Sequence, residues 1–182
     1  MEELFRLFFI YSFLGFLLEV VFARVTRAEK QDRKCLLLLP LCPVYGLGAL
    51  AIINLPEAVL QRPLPLFLLG GLAATTVEYA TDWFCETVLG VRFWNYSTLP
   101  WNLSGRVSLL FSFFWGLLAL GLVAWVHPLV LDWSASVPSE WTLPFGLLFL
   151  TDAMISALIL RSAGTTDALR WYDRIPKKKT DG

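Results

Sequence analysis

The chain has 182 residues, 57% of them hydrophobic and only 16% charged, with a formal net charge of zero. Soluble domains run about 45–50% apolar and about 25% charged, so the composition excludes an ordinary soluble domain and points to an integral membrane protein. Zero net charge gives no bulk attraction to nucleic acid, which is not expected as a partner.

Five apolar runs occur in order: residues 4–23, 36–55, 64–84, 107–130 and 142–160. Each is close to the roughly 20 residues that a helix needs to cross a bilayer. The runs are continuous rather than alternating, which favours helices over a barrel. Glu2 and Glu3 precede the first run where a secretory signal would carry basic residues, so no cleavable leader is expected. The second run contains Pro40, Pro43, Gly46 and Gly48 and is expected to be kinked or broken at its start.

The connections sort by charge. Thirteen of the 15 basic residues follow the first run, lie between the third and fourth, or follow the fifth; only Arg6 and Arg62 fall elsewhere. With five spans, those three segments share one side. The positive-inside rule then places the N-terminus outside and the C-terminus in the cytoplasm. The expected fold is therefore all-α and polytopic, a multi-pass protein of a bacterial plasma membrane. Residues 1–161 form one transmembrane helical domain and 162–182 a basic cytoplasmic tail.

Cys35, Cys42 and Cys85 lack metal-ligand spacing and read as packing residues; on this topology Cys35 and Cys85 lie at the cytoplasmic face, where thiols stay reduced. His127, beside Pro128 at the outer end of the fourth run, reads as an interfacial residue. No metal and no cofactor is expected.

The polar residues of four runs fall at one depth. Glu19 lies near the inner end of the first run, Tyr45 in the inner half of the second, Glu78, Tyr79 and Asp82 at the inner end of the third, and Arg106, Ser108 and Ser112 at the start of the fourth. Carboxylates and guanidinium groups at membrane depth cost on the order of 2.5–3.5 kcal/mol each, and intramembrane ionisable groups mark functional sites by default. Glu78 and Asp82, four apart, share a helix face. Arg106 is the nearest basic residue, and Glu78 and Arg106 are expected to be neighbours, with Glu19 approaching them. Trp94, Tyr96 and Trp101 are expected at the interface or folded over the pocket as a lid. Asp152, midway along the fifth run, is placed facing the same pocket from its outer side. The alternative to a ligand or proton site is an ion-pair network that fixes helix register.

Four stretches carry a resemblance: YSFLGFLLE at 11–19, PLCPVYGLGAL at 40–50, VEYATDWFCETVLGVRFWNYS at 77–97 and NLSGRVSLLFSFFWG at 102–116. They resemble the motifs of the bacterial putative ABC-transporter type IV membrane proteins, also called CmpB-like putative permeases, over roughly residues 4–120. The chain departs from the family pattern at Lys34-Cys35, where a glycine follows the basic residue, at Leu39-Pro40, where Gly-Pro is usual, and at Trp94-Asn95-Tyr96, where Trp-Asp-Tyr is usual.

The resemblance implies a membrane permease or substrate-binding subunit of a transporter. Its substrate-binding residues are expected to be Glu19, Tyr45, Glu78, Tyr79, Asp82, Trp94, Tyr96, Asn102 and Arg106. No Gly-rich phosphate loop is present, so a separate cytoplasmic ATPase subunit would supply the energy. Membrane lipids are the other partners, and Gly70-Gly71 with Ala73 and Ala74 offers a close-packing face for a homo-oligomer. The alternatives are an intramembrane enzyme acting on a lipid or lipid-linked substrate, with Glu78 and Asp82 as acid and base, or a structural assembly partner.

Overall fold

The computed structural model describes residues 2–27 and 34–170. Helix α1 (Glu2–Val25) is followed by the short α2 (Pro43–Ile53) and α3 (Glu57–Leu60). Then come α4 (Pro63–Phe84), a two-stranded hairpin of β1 (Asn102–Leu103) and β2 (Val107–Ser108), α5 (Leu109–Gly121), α6 (His127–Ser136) and α7 (Thr142–Ala163). Wide π-type turns extend α4 through Cys85–Leu89 and join α5 to α6 through Leu122–Val126. Four helical stretches among the described residues are long and apolar enough to cross a membrane: Glu2–Val25, Pro63–Leu89, Leu109–Ser136 and Ser139–Ala163.

The second apolar run differs from a full helical span. It is helical only over the 11 residues of α2, about 16 Å at 1.5 Å per residue, or roughly half of a bilayer core. Residues 35–42 ahead of it form a non-helical strap. Pro40 and Pro43 explain the break, because proline disfavours the helical conformation of the residue before it and donates no hydrogen bond.

A non-helical strap among apolar helices leaves backbone N–H groups to satisfy. The N–H of Leu37 donates to Ser156 Oγ at 2.8 Å. The N–H of Leu38 lies 3.1 Å from both carboxylate oxygens of Asp152, and the N–H of Leu39 lies 2.7 Å from Oδ2. Ser156 Oγ donates to Asp152 Oδ1 at 3.3 Å, and both side chains are buried. The strap ends on α1, where the N–H of Cys42 donates to the Ser12 carbonyl at 2.9 Å. Asp152 therefore holds backbone, and its carboxylate does not join the polar cluster at the end of α4 where the sequence reading placed it.

The helices alternate in direction. Against α1, Cys42 meets Ser12, Tyr45 meets Gly15, and Ala49 packs with Leu7 and Tyr11, so α2 runs back along α1. Antiparallel to α5, α4 is so close that a Cβ on Gly71 would lie 3.1 Å from the Gly116 backbone and one on Gly70 would lie 2.7 Å from Ala119. That small-residue face is spent inside the subunit, not on a second copy. Parallel to α1 lies α7, with Gly146 at Phe5 and Phe149 against Phe8 and Phe9. Arg6 ties the N-terminal end by donating to the Val137 carbonyl at 3.0 Å.

His127 sits inside the continuous stretch Leu109–Ser136 rather than at its end, because the helix runs on through Pro128 to Ser136. Its Nδ1 lies 2.6 Å from the Tyr11 hydroxyl, across the α1–α6 contact. After α7, Gly164 adopts the left-handed conformation and a turn at Thr166–Leu169 folds Leu169 fully into a cluster with Val91 and Leu160. The remaining basic tail, 171–182, and residues 28–33 of the first connection lie outside the described residues.

If Asp152 holds the strap, Asp152→Ala strands the N–H donors of Leu38 and Leu39 in a largely apolar setting, at on the order of 1 kcal/mol each. Thermal unfolding in detergent should show a large fall for this variant and almost none for the adjacent Thr151→Ala, whose side chain is exposed and bonds only its own helix. Equal small shifts in the two would remove the role assigned to Asp152.

Candidate functional site

The polar residues gather at the end of the molecule formed by the C-terminal halves of α1 and α4, the start of α2, the hairpin and the start of α5. Local sequence explains how the hairpin closes. Ser104 and Gly105 both take positive φ, of 55° and 67°, and the Arg106 N–H bonds the Leu103 carbonyl at 3.0 Å. That is the two-residue turn whose twist matches an antiparallel pair. Asn102 braces it, accepting from the Gly105 N–H at 2.9 Å and donating to the Leu99 carbonyl at 2.7 Å. Ser108 then caps α5 by accepting from the Phe111 N–H.

Glu78 is buried at 4% exposure on α4. Its Oε1 accepts from the Tyr96 hydroxyl at 2.9 Å and its Oε2 from the Trp115 indole N–H at 2.9 Å. Both donors are neutral, and no basic group among the described residues pairs with it. The Trp115 ring lies 5.1 Å from that of Tyr45, whose hydroxyl donates to Glu19 Oε1 at 2.8 Å. Tyr96 stacks on Phe111 at 4.5 Å, and Thr75 donates to Ser112 at 3.0 Å one turn above Glu78. Two carboxylates are thus joined through two aromatic rings, Tyr45 of α2 and Trp115 of α5, with Tyr96 of the loop bonded to Glu78.

Asp82, one turn further along α4, lives in a different environment. Its Oδ2 receives Arg106 Nη1 at 2.7 Å and Arg92 Nη2 at 3.1 Å, and its side chain is fully buried. Arg106 also pairs with Glu86, whose side chain is 41% exposed, and its guanidinium lies 5.7 Å from the centre of the Tyr79 ring. Desolvation lowers the Arg106 pKa, but hydrogen bonds and charge from Glu86 and Asp82 outweigh it and raise the group above its ordinary value. The Trp94 indole donates to the Arg106 carbonyl at 2.9 Å, fixing the backbone that presents the guanidinium.

The expected neighbours therefore re-sort. Arg106 pairs with Asp82 and Glu86 instead of Glu78, because the hairpin delivers it one turn beyond Glu78. Glu19 does approach the Glu78 group, through Tyr45 and Trp115. Tyr96 and Trp94 fold back onto the helices, whereas Trp101, 83% exposed, points away. Asn102 braces the turn through Gly105 and Leu99. Trp115 and Arg92 were not among the expected site residues. Trp115 looked like one more aromatic in an apolar run, and its position seven residues after the helix-capping Ser108, two turns in and on one face, was the available signal.

A family profile described as "Putative ABC-transporter type IV" matches residues 6–160. The chain belongs to this family. The match overlaps all four helices of membrane-spanning length among the described residues and contains both polar clusters, and it agrees with the resemblance of the four motifs. No curated protein and no solved structure matches the chain.

Double-mutant cycles read the pairing directly. Asp82→Ala and Arg106→Ala should lose stability non-additively, by more than about 1 kcal/mol of coupling, because each strands the other's charge. Glu78→Ala with Arg106→Ala should add to within about 0.5 kcal/mol. Thermal or denaturant unfolding in detergent measures both cycles, and coupling confined to the second would reverse the assignment.

Proposed function

We propose that this chain is a membrane permease or substrate-binding subunit of a transporter, with its polar cluster in the cytoplasmic half of a bacterial plasma membrane. The observation that carries the reading is Glu78. A buried carboxylate on a membrane-length helix, held only by the neutral donors of Tyr96 and Trp115, is costly for a purely structural element. The salt-bridged Asp82 group needs no ligand to balance it: Asp82 and Glu86 face Arg92 and Arg106.

Glu78 with Glu19, ringed by Tyr45, Trp115 and Tyr96, suits a solute carrying positive charge, since carboxylates and aromatic faces both attract cations. Tyr79, Asp82, Trp94 and Arg106 would border the site on its loop side, and the hairpin would cover it from the cytoplasm. Family membership supports a transporter component. A separate ATPase subunit would meet the chain at residues 90–108, where the hairpin projects, and membrane lipids would cover the exposed apolar helix faces.

Trp115 supplies a built-in reporter. Titration of purified protein with primary and quaternary ammonium solutes should change tryptophan emission saturably, and Trp115→Phe should abolish the change. Glu78→Gln should weaken binding by roughly tenfold or more, since the removed charge faces the solute. Emission indifferent to every cationic solute would remove the proposed ligand class.

Orientation has its own test. In a background with Cys35, Cys42 and Cys85 changed to serine, Ser139→Cys should react with an impermeant maleimide in intact cells. Thr98→Cys should react only after permeabilisation. The opposite pattern would invert the topology and place the polar cluster outside.

A further inference from the structure

Two thiols bracket the strap. Cys35 stands at its start and Cys42 at its end, and their sulfurs lie 2.9 Å apart. Closing that separation to a disulfide of about 2.05 Å requires a shift of under about 1 Å, well within side-chain rotation. Six residues lie between them, including the three whose N–H groups rest on Ser156 and Asp152. Cys42 is buried, while Cys35 is partly exposed. Cys85, buried on the extension of α4, is a third thiol in the neighbourhood of Cys35.

We infer that Cys35 and Cys42 form a reversible dithiol–disulfide pair that closes the strap. The oxidant is a small-molecule disulfide of the glutathione class. The Cys35 thiolate attacks one sulfur of that disulfide, forms a mixed disulfide and releases the first small thiolate. The Cys42 thiolate then attacks the Cys35 sulfur, forms the internal S–S bond and displaces the second small thiolate. Two protein thiols lose two electrons and two protons, and one external disulfide becomes two thiols. In a reducing cytoplasm the pair rests as thiols, and a rise in the disulfide pool closes it.

Closure acts on a structurally sensitive position. Cys42 is the N-terminal cap residue of α2, its N–H holds Ser12, and its carbonyl accepts the Tyr45 N–H at 3.1 Å. A covalent bridge fixes the start of the helix that carries Tyr45 to Glu19. Bridge formation stands apart from the transport reading, because the pair closes whether or not the protein moves a solute.

The experiment uses the full chain purified in detergent with reductant removed. It is equilibrated across a series of oxidised to reduced glutathione ratios, quenched by alkylation, digested and analysed by mass spectrometry. The expected product is a Cys35–Cys42 bridge, two hydrogens lighter than the dithiol, that forms in Cys85→Ser protein as well and reverts with dithiothreitol. Folded protein should reach half-closure at an oxidising ratio about tenfold lower than the chain unfolded in SDS, because the fold holds the sulfurs together. Cys42→Ser should instead stop at a glutathione adduct on Cys35. The proposal is overturned if both thiols of the folded protein remain alkylatable at high oxidised glutathione, if only adducts form, if Cys85 is the bridged partner, or if unfolding makes closure easier.

Discussion

The fold depends on one carboxylate and one hydroxyl meeting three backbone donors. Residues 37–39 leave the helical state in a largely apolar setting, and the N–H groups thus released would each cost free energy comparable to a lost hydrogen bond. Asp152 and Ser156, one turn apart on α7, answer that demand. The arrangement brings the second and fifth apolar runs together and sets where α2 begins. Everything at the polar end follows: Tyr45 enters beside Gly15, reaches Glu19, and lays its ring against Trp115. A carboxylate in an apolar run is not automatically a ligand site; here backbone amides consume it.

The two acids of α4 show how a single helical turn separates chemistries. Asp82 faces the hairpin and collects two guanidinium groups, forming with Glu86 a charge-balanced network that anchors the connection to the helix. Glu78 faces α5 and the loop tyrosine and collects only neutral donors. The first arrangement is well explained as structure, since stranding either partner of a buried pair costs several kcal/mol, about 3–5. The second leaves a carboxylate whose charge no basic group among the described residues offsets, and this is why the functional reading rests on Glu78 rather than on the salt bridges around it.

Close helix packing makes that placement rigid. Gly71 against Gly116, and Gly70 against Ala119, bring α4 and α5 to backbone contact, and the same register sets Thr75 beside Ser112 and Glu78 within reach of Trp115. Small residues at membrane depth allow such an approach because packing, not water release, drives association of apolar helices there. The cost is that this face is no longer open to a partner. The apolar side chains left exposed are others, such as Leu64, Leu72, Trp125 and Leu158.

Sequence by itself determined the membrane class, four of the five long helical runs, the break at Pro40 and Pro43, the convergence of polar residues on one end and the family. These are readable because they follow from properties of single segments: apolar length, proline chemistry, charge bias and local motif. Tertiary structure decided the pairings. Arg106 was within reach of Glu78, Asp82 and Glu86 along the chain, and only the turn at Ser104-Gly105 and the wide turn after Phe84 chose the latter two. Nothing local to Trp115 or Asp152 named their partners. Their partners lie 37 and 114 residues away, and a hydrogen bond's identity depends on where two elements meet, which neither element's own pattern encodes. A broken helix with freed N–H groups and a lone acid in another apolar run were complementary demands in the sequence, but only packing α7 against the strap matched one to the other.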